Sequence, residues 1–262
     1  MRTGRQKTGR RKQMNAIAVE VKDLTKTFGG LHALNGISLQ VPIGQRRALI
    51  GPNGAGKTTL FNCMAGSLPP SSGKISLFGR EVTHVAEHHR TAMGIGRTYQ
   101  ITNVFHELTV IENVLLAEQG TKKQKWILYR PMESFKNKMN LAKERLSFLG
   151  LAHRSFHFVH QLSYGERRQL EFVLALASAP RVLLLDEPAS GLSPAERQHI
   201  GEIISRLSRD ITVIFIEHDM DVALGIADRV TVLHQGRVIS EGTPEEVRAN
   251  SEVREVYFGN VR

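Results

Sequence analysis

"LIGPNGAGKTT", residues 49–59, is a glycine-rich turn that ends in a lysine and two threonines. Immediately before the turn proper, "RRALI" (residues 46–50) is a short run with strand character, and a helix is predicted from about Lys57 to a stop at Gly66. Strand, glycine turn and helix is the order in which the pattern GxxxxGK[ST] holds phosphate: Gly51, Gly54 and Gly56 free the backbone to wrap phosphates with its N–H groups. Lys57 would neutralise the β- and γ-phosphates of a nucleotide, and the Thr58 hydroxyl would ligate Mg²⁺. Asn53, Gly54, Ala55, Gly56, Lys57, Thr58 and Thr59 are therefore the candidate nucleotide-binding residues of this turn.

Composition bounds the rest. With 262 residues, 41% apolar and 23% charged, the chain can bury a large core. No apolar run approaches the roughly 20 residues of a membrane-spanning helix, and no secretory signal is expected at the N-terminus. Cys63 is the only cysteine, so no intramolecular disulfide can form and a reducing cytoplasm fits. The net charge of +10 is uneven: Arg2, Arg5, Lys7, Arg10, Arg11 and Lys12 lie in one stretch without an acid. Residues 1–15 read as a disordered basic tail. Its first 13 residues are either an extension ahead of a second start at Met14 or a contact for anionic lipid or nucleic acid.

A phosphate-binding turn alone leaves kinases, GTPases, helicases and transport ATPases open. "RVLLLDEP" narrows the choice, because Val182–Leu185 is a fully apolar run of the kind a buried parallel strand requires. It delivers Asp186 and Glu187 to its carboxyl end, the ligand edge of an open α/β sheet. Asp186 is placed for the metal, and Glu187 is suited to polarise a water for attack on the γ-phosphate. A second apolar strand, "TVIFIE", brings His218 to the same edge, where it can hold the γ-phosphate and the water.

Between these motifs lies "QLSYGERRQLEFVLALA", residues 161–177. It resembles the LSGGQ signature of ABC ATPases, and the other landmarks of that family follow in order: Gln100 in "RTYQ", "SGLS" after Glu187, and His218 in "FIEHDM". Over residues 16–258 the chain is similar to the nucleotide-binding subunits of ABC transporters. The resemblance implies an α/β fold: a P-loop ABC ATPase core of RecA type with an antiparallel β subdomain and an inserted α-helical subdomain. It also implies one nucleotide-binding domain over residues 16–262, with residues 101–178 as the helical subdomain on which the membrane partner docks. "LTVIENVLLA" and the amphipathic "FKNKMNLAKERLSFLG" would be helices of that insert, and Gln100 would sit at its hinge, touching Mg²⁺ or the attacking water.

The resemblance further implies that Ser163, Tyr164, Gly165 and Glu166 face ATP held by a partner subunit, at the positive end of a helix. Taken without the family, Ser163 and Glu166 form only an S-x-x-E helix start. Tyr164 replaces the first glycine of LSGGQ and Glu166 its glutamine, and Ser193 stands in the D-loop where many members have aspartate. Phe28 in "KTFGG" matches the aromatic position that stacks on adenine; its alternative is a core phenylalanine. The basic, aromatic "TKKQKWILYR" could reach the membrane through Trp126 and Tyr129 or pack on neighbouring helices. His153, His157 and His160, like His84, His88 and His89, lack the setting of a zinc site.

Local wording such as "FGGLHALNGISLQV", "GIGRTYQ", "VIENVLLA" and the ending "EVYFG" resembles the branched-chain amino acid import ATPases of bacteria. That implies ATP and Mg²⁺ as cofactors, transmembrane permease subunits and a second ATPase subunit as partners, and a periplasmic binding protein acting indirectly. No nucleic acid is expected, and the place is the cytoplasmic face of the inner membrane. The alternatives are the ATPase of lipopolysaccharide export and an importer of urea or amides. Soluble ABC proteins of translation or repair carry two cassettes or long coiled coils, and a metabolite kinase lacks the signature and His218 motifs.

Overall fold

The computed structural model describes residues 16–98, 104–120 and 136–258. The basic tail, Gln100, Trp126 and Tyr129 lie outside the described residues. In chain order the strands are β1 (Ile17–Phe28), β2 (Leu31–Pro42), β3 (Arg46–Ile50), β4 (Ser72–Leu77), β5 (Arg80–Glu81), β6 (Ile95–Arg97), β7 (Val182–Asp186), β8 (Thr212–Ile216), β9 (Arg229–His234) and β10 (Arg237–Gly242). The helices are α1 (Lys57–Ala65), α2 (Glu87–Ala92), α3 (Val110–Gly120), α4 (Lys136–Phe148), α5 (Tyr164–Ala177), α6 (Pro194–Arg206), α7 (Met220–Ile226), α8 (Pro244–Ala249) and α9 (Ser251–Phe258).

A six-stranded sheet of order β10-β9-β3-β8-β7-β6 is parallel except for the β9–β10 hairpin. Every residue of β3, β7 and β8 is buried, as helices on both faces of a parallel sheet require. Successive side chains go to opposite faces: Leu183, Leu185, Val213 and Phe215 join one core, while Val182, Leu184, Ile214 and Ile216 join another. The first core is completed by Val110 and Val114 of α3, Leu146 of α4, Phe172 and Val173 of α5, and Ile200, Ile203 and Ile204 of α6. The second holds Leu60, Phe61 and Met64 of α1 against a four-stranded antiparallel sheet of order β2-β1-β4-β5.

The apolar run at residues 17–21 predicts a short strand, whereas β1 continues to Phe28. Its polar second half is carried by partners on both sides, β2 and β4, and the alternation breaks where the register shifts between Val21 and Leu24, with Asp23 at φ +47°. The stretch before the signature contains two 3₁₀ turns at Ala152–Arg154 and Val159–Gln161 and a bridge between Thr109 and Phe158. Two of its histidines have separate partners: His153 lies 3.7 Å from Glu166, and His160 Nδ1 lies 3.1 Å from the His106 carbonyl.

Buried arginines tie helix ends into this framework. Arg46 donates to the carbonyls of Ile204, Ser205 and Leu207 at the C-terminus of α6. Arg90, 1% exposed, donates to Cys63 and Met64 at the end of α1 and to Thr83 and Val85, at 2.7–3.0 Å. A guanidinium suits both places, since it brings positive charge and several donors to the negative end of a helix. Arg90→Met keeps most of the volume but removes the side-chain donors to four carbonyls, two of them at the C-terminal end of α1. It is expected to destabilise the fold by about 3 kcal/mol, read as a lower urea midpoint at unchanged m-value.

Candidate active site

The phosphate-binding turn runs from β3 to α1 and is shaped by contacts that admit no side chain at two positions. Gly51 has φ +148°, and a Cβ there would lie 2.1 Å from the Leu233 carbonyl oxygen. Gly56, at φ +100°, would place one 2.5 Å from the Ala33 carbonyl oxygen. Lys57 folds back into the turn, its Nζ donating to the carbonyls of Gly51 at 2.6 Å and Pro52 at 3.0 Å. Burial lowers its pKa, and the carboxylates of Glu187 and Asp186 act in the opposite direction.

α1 differs at its N-terminus from several other helices of the chain. Ser163 with Glu166, Ser193 with Glu196 and Thr243 with Glu246 each form a reciprocal capping box at the start of α5, α6 and α8. α1 begins instead at Gly56, with no side-chain cap and no acid in its first turn. Its first N–H groups are thus left for a ligand at the positive end of the helix dipole. Thr58, Asn53 and Gly54 are exposed at this mouth, whereas Ala55 is buried and Thr59 half-buried. Phe28 is 48% exposed with Lys26 Nζ 5.1 Å from its ring centre, so it is not a core phenylalanine.

β7 and β8 deliver the acids and His218 beside this turn. Asp186 is 1% exposed, and neither carboxylate oxygen has a hydrogen-bond partner among the described residues. Burial raises its pKa, opposed by Arg97, whose Nη2 stands 3.8 Å away. A buried, unsatisfied carboxylate is costly unless a cation completes it, so the oxygen donors of Asp186 and Thr58 fit a hard ion such as Mg²⁺. Glu187 follows at φ +49°, a left-handed conformation that costs a non-glycine residue about 1 kcal/mol. Its amide donates to Ile216, and its Oε1 lies 2.6 Å from His218 Nε2. With Glu187 ionised, that contact requires the proton on Nε2.

The signature residues stand at the start of α5, with Ser163 exposed and Gly165 buried. Ser163 Oγ accepts from the Glu166 amide at 3.2 Å, and Glu166 returns the bond to the Ser163 amide at 2.9 Å. Burial alone would raise the Glu166 carboxyl, but the Arg154 guanidinium at 2.7 Å and the Ser163 amide outweigh it and hold it below the usual range. Ser193 uses its hydroxyl and amide on Glu196, a local capping role that aspartate could also fill.

Three polar partners are absent from the motif reading. Thr98 Oγ1 accepts from the Asp186 amide at 3.2 Å, and Arg97 bonds Asn62 Oδ1 of α1 at 2.6 Å while facing Asp186. Glu217, 3% exposed, accepts from the Ala189 amide at 2.9 Å. Its signal in the sequence was an acid closing an otherwise apolar run directly before His218.

A family model described as "ABC transporter" matches residues 34–190, more than half of the chain. The chain belongs to the ABC transporter family. Its fold is the P-loop ABC ATPase fold, and the protein is an ATP-binding cassette that hydrolyses ATP. A second model, described as "Branched-chain amino acid ATP-binding cassette transporter", matches residues 237–261. The chain is 37% identical to the high-affinity branched-chain amino acid transport ATP-binding protein BraF of Pseudomonas aeruginosa, over 94% of this chain and 99% of that one. Identity to the lipopolysaccharide export system ATP-binding protein LptB of Acidithiobacillus ferridurans is 35%, over 92% of this chain and 97% of that one. A crystal structure of a nucleotide-free ATP-binding cassette from an ABC transporter is 30% identical, with a TM-score of 0.82 over 93% of this chain and 99% of that one.

Glu217 is expected to make the stability of this cassette depend on pH. Burial pushes its carboxyl from the ordinary 4.5 up to about 7, against the pull of the Ala189 and His218 amides and with Glu187 and Asp219 adding repulsion. Unfolding therefore releases a proton between those values, so stability falls as pH rises through that window and the loss is complete above the folded pKa. Glu217→Gln retains an acceptor for Ala189 and does not ionise. Relative to wild type it is expected to gain about 3 kcal/mol from pH 4.5 to above pH 7, measured as the difference between two urea titration series.

Proposed function

We propose that this chain is the ATPase subunit of a bacterial importer for branched-chain or other small amino acids. It works on the cytoplasmic face of the inner membrane beneath permease subunits that a periplasmic binding protein supplies. The observation that carries this reading is the match of residues 237–261, the segment containing β10, α8 and α9, to the branched-chain amino acid model. The similarity to BraF over nearly its whole length supports it. No helix of the described residues is long and apolar enough to cross a membrane; in this reading the membrane path belongs to the permease subunits. Docking is supported by the exposed rings of Phe105, Phe156 and Phe158 around α3 and α4, in the part of the chain read as the helical subdomain.

In this reading adenine stacks on Phe28, and the phosphates lie across the open N-terminus of α1. Lys57 exchanges the Gly51 and Pro52 carbonyls for phosphate oxygens. Thr58 and Asp186, with Gln100 as a further ligand expected from the sequence, would hold Mg²⁺, which would supply positive charge at the phosphate oxygens. Glu187 orients the water and takes its proton, and His218 fixes the Glu187 carboxylate and meets the γ-phosphate. The signature of a second ATPase subunit closes the site through Ser163, Gly165 and the neighbouring Tyr164 and Glu166. The export reading rests on the LptB likeness; lost uptake of branched-chain amino acids on deletion of the gene, with lipopolysaccharide export intact, decides between the two.

Glu187→Gln is expected to bind MgATP normally and to turn it over at least about tenfold more slowly, since only the proton-accepting carboxylate is lost. His218→Ala should do the same, and near-normal turnover in either would remove that residue from its role. The shared site is tested by mixing Lys57→Ala with Ser163→Arg chains. Each variant alone spoils both sites of a homodimer, while the mixture holds one site with an intact lysine and an intact serine. ATP-dependent dimerisation, followed by size-exclusion chromatography, should return in the mixture. If wild type dimerises only with a different ATPase subunit, the two changes are divided between those subunits.

A further inference from the structure

The catalytic loop of this cassette is tied to its own signature by a residue that the general signature lacks. Tyr164, the first residue of α5, occupies the place of the first glycine of LSGGQ. Its hydroxyl donates to the Ser190 carbonyl at 3.3 Å. Its ring covers Gly191 so closely that a Cβ there would lie 3.1 Å from both Cε1 and Oη. The Arg168 guanidinium, paired with Glu171 at 2.8 Å, stands 5.7 Å from the ring centre on the same helix. Next to Tyr164, a Cβ on Gly165 would lie 2.1 Å from Glu196 Oε1, the carboxylate that caps Ser193. The start of α5 therefore abuts residues 190–196 at two successive positions.

What that loop carries makes the contact functional. The Ser190 amide donates to the Glu187 carbonyl, the Ala189 amide to Glu217, and Glu187 itself sits in a left-handed conformation that its neighbours must impose. We propose that Tyr164 is a positioning residue for Glu187 of the same chain. Through Ser190 it holds the catalytic carboxylate in register, and through its place in the signature it makes that register depend on ATP bound by the partner subunit. The dependence on the partner rests on the shared site proposed above; the tie within the chain does not.

The test uses full-length Tyr164→Phe, which keeps the ring on Gly191 and removes only the hydroxyl. A bond of 3.3 Å is long for O–H···O, so the expected loss is at the low end of one neutral hydrogen bond, about two- to fivefold. kcat for MgATP should fall by that factor, and amide exchange of Ala189 and Ser190 should quicken by a similar factor with exchange in β3 and α1 unaltered. Tyr164→Gly should extend both effects and lower the Hill coefficient of ATP hydrolysis. A merely structural role would lower the unfolding midpoint and leave kcat of the folded protein unchanged, which overturns the proposal. Unchanged exchange at Ala189 and Ser190 overturns it as well. A slower kcat with an unaltered Hill coefficient overturns the coupling to the partner. Wild-type turnover in Ser163→Arg would instead sink the shared site, and the exchange data would still decide the tie within the chain.

Discussion

One pairing register sets the geometry of the site. Leu49 of β3 and Asp186 of β7 both lie opposite Ile216 of β8, so three parallel strands end at the same level. From that level the chain continues into Gly51 and the phosphate turn on one strand, Glu187 on another, and Glu217 with His218 on the third. A one-residue slip would turn Leu183 and Leu185 out of one core and into the other and would bury Glu187 where Asp186 now stands. The apolar packing on both faces of the sheet fixes this register, and the chemistry inherits it.

On that level the chain leaves charged groups whose protein partners are incomplete. Lys57 is surrounded by two backbone carbonyls and faces two acids, Asp186 has no hydrogen-bond donor among the described residues, and α1 lacks a cap. Other helix ends of the same chain are provided for, with capping boxes on α5, α6 and α8 and with Arg46 and Arg90 donating to terminal carbonyls. Buried polar groups left short of partners lower stability, so a donor-less carboxylate beside an uncapped helix and a lysine held only by backbone carbonyls is a setting that ligand groups can complete. ATP and a divalent cation have the complementary charges.

Much of this was legible in the sequence because it is local. The turn at residues 49–59, the apolar strand before Asp186 and the strand before His218 are each set by a few neighbouring residues: the glycines and Lys57 of the turn, and apolar runs that end in an acid. The S-x-x-E pattern at Ser163 was readable as a cap, and the structure makes it one. What could not be read joins residues far apart in the chain: Thr98 on Asp186, Arg90 across α1, Glu217 on Ala189 and Tyr164 on Ser190. Spacing carries no information about such pairs. Glu217 came nearest to being visible, as an acid at the end of an apolar run. The length of β1 was hidden for a different reason, since its polar half is a strand only because β2 and β4 flank it.

The two halves of the site differ in how firmly they are held. The phosphate turn is braced by backbone carbonyls of Leu233 and Ala33 pressed against Gly51 and Gly56, contacts that cannot move without moving β9 or β2. Glu187 has no such brace. Its left-handed backbone is held by single hydrogen bonds: the Ser190 amide donates to its carbonyl, its own amide donates to the Ile216 carbonyl, its side chain meets His218, and Glu217 and Tyr164 act one step removed. Each of these is worth about 1 kcal/mol, comparable with the backbone strain it offsets, so the carboxylate can be brought into or out of line at little cost. In the proposed cycle nucleotide binding stays tight while hydrolysis waits on the loop, and the residues that touch the loop from outside, rather than those of the phosphate turn, are where the proposed partner subunit acts.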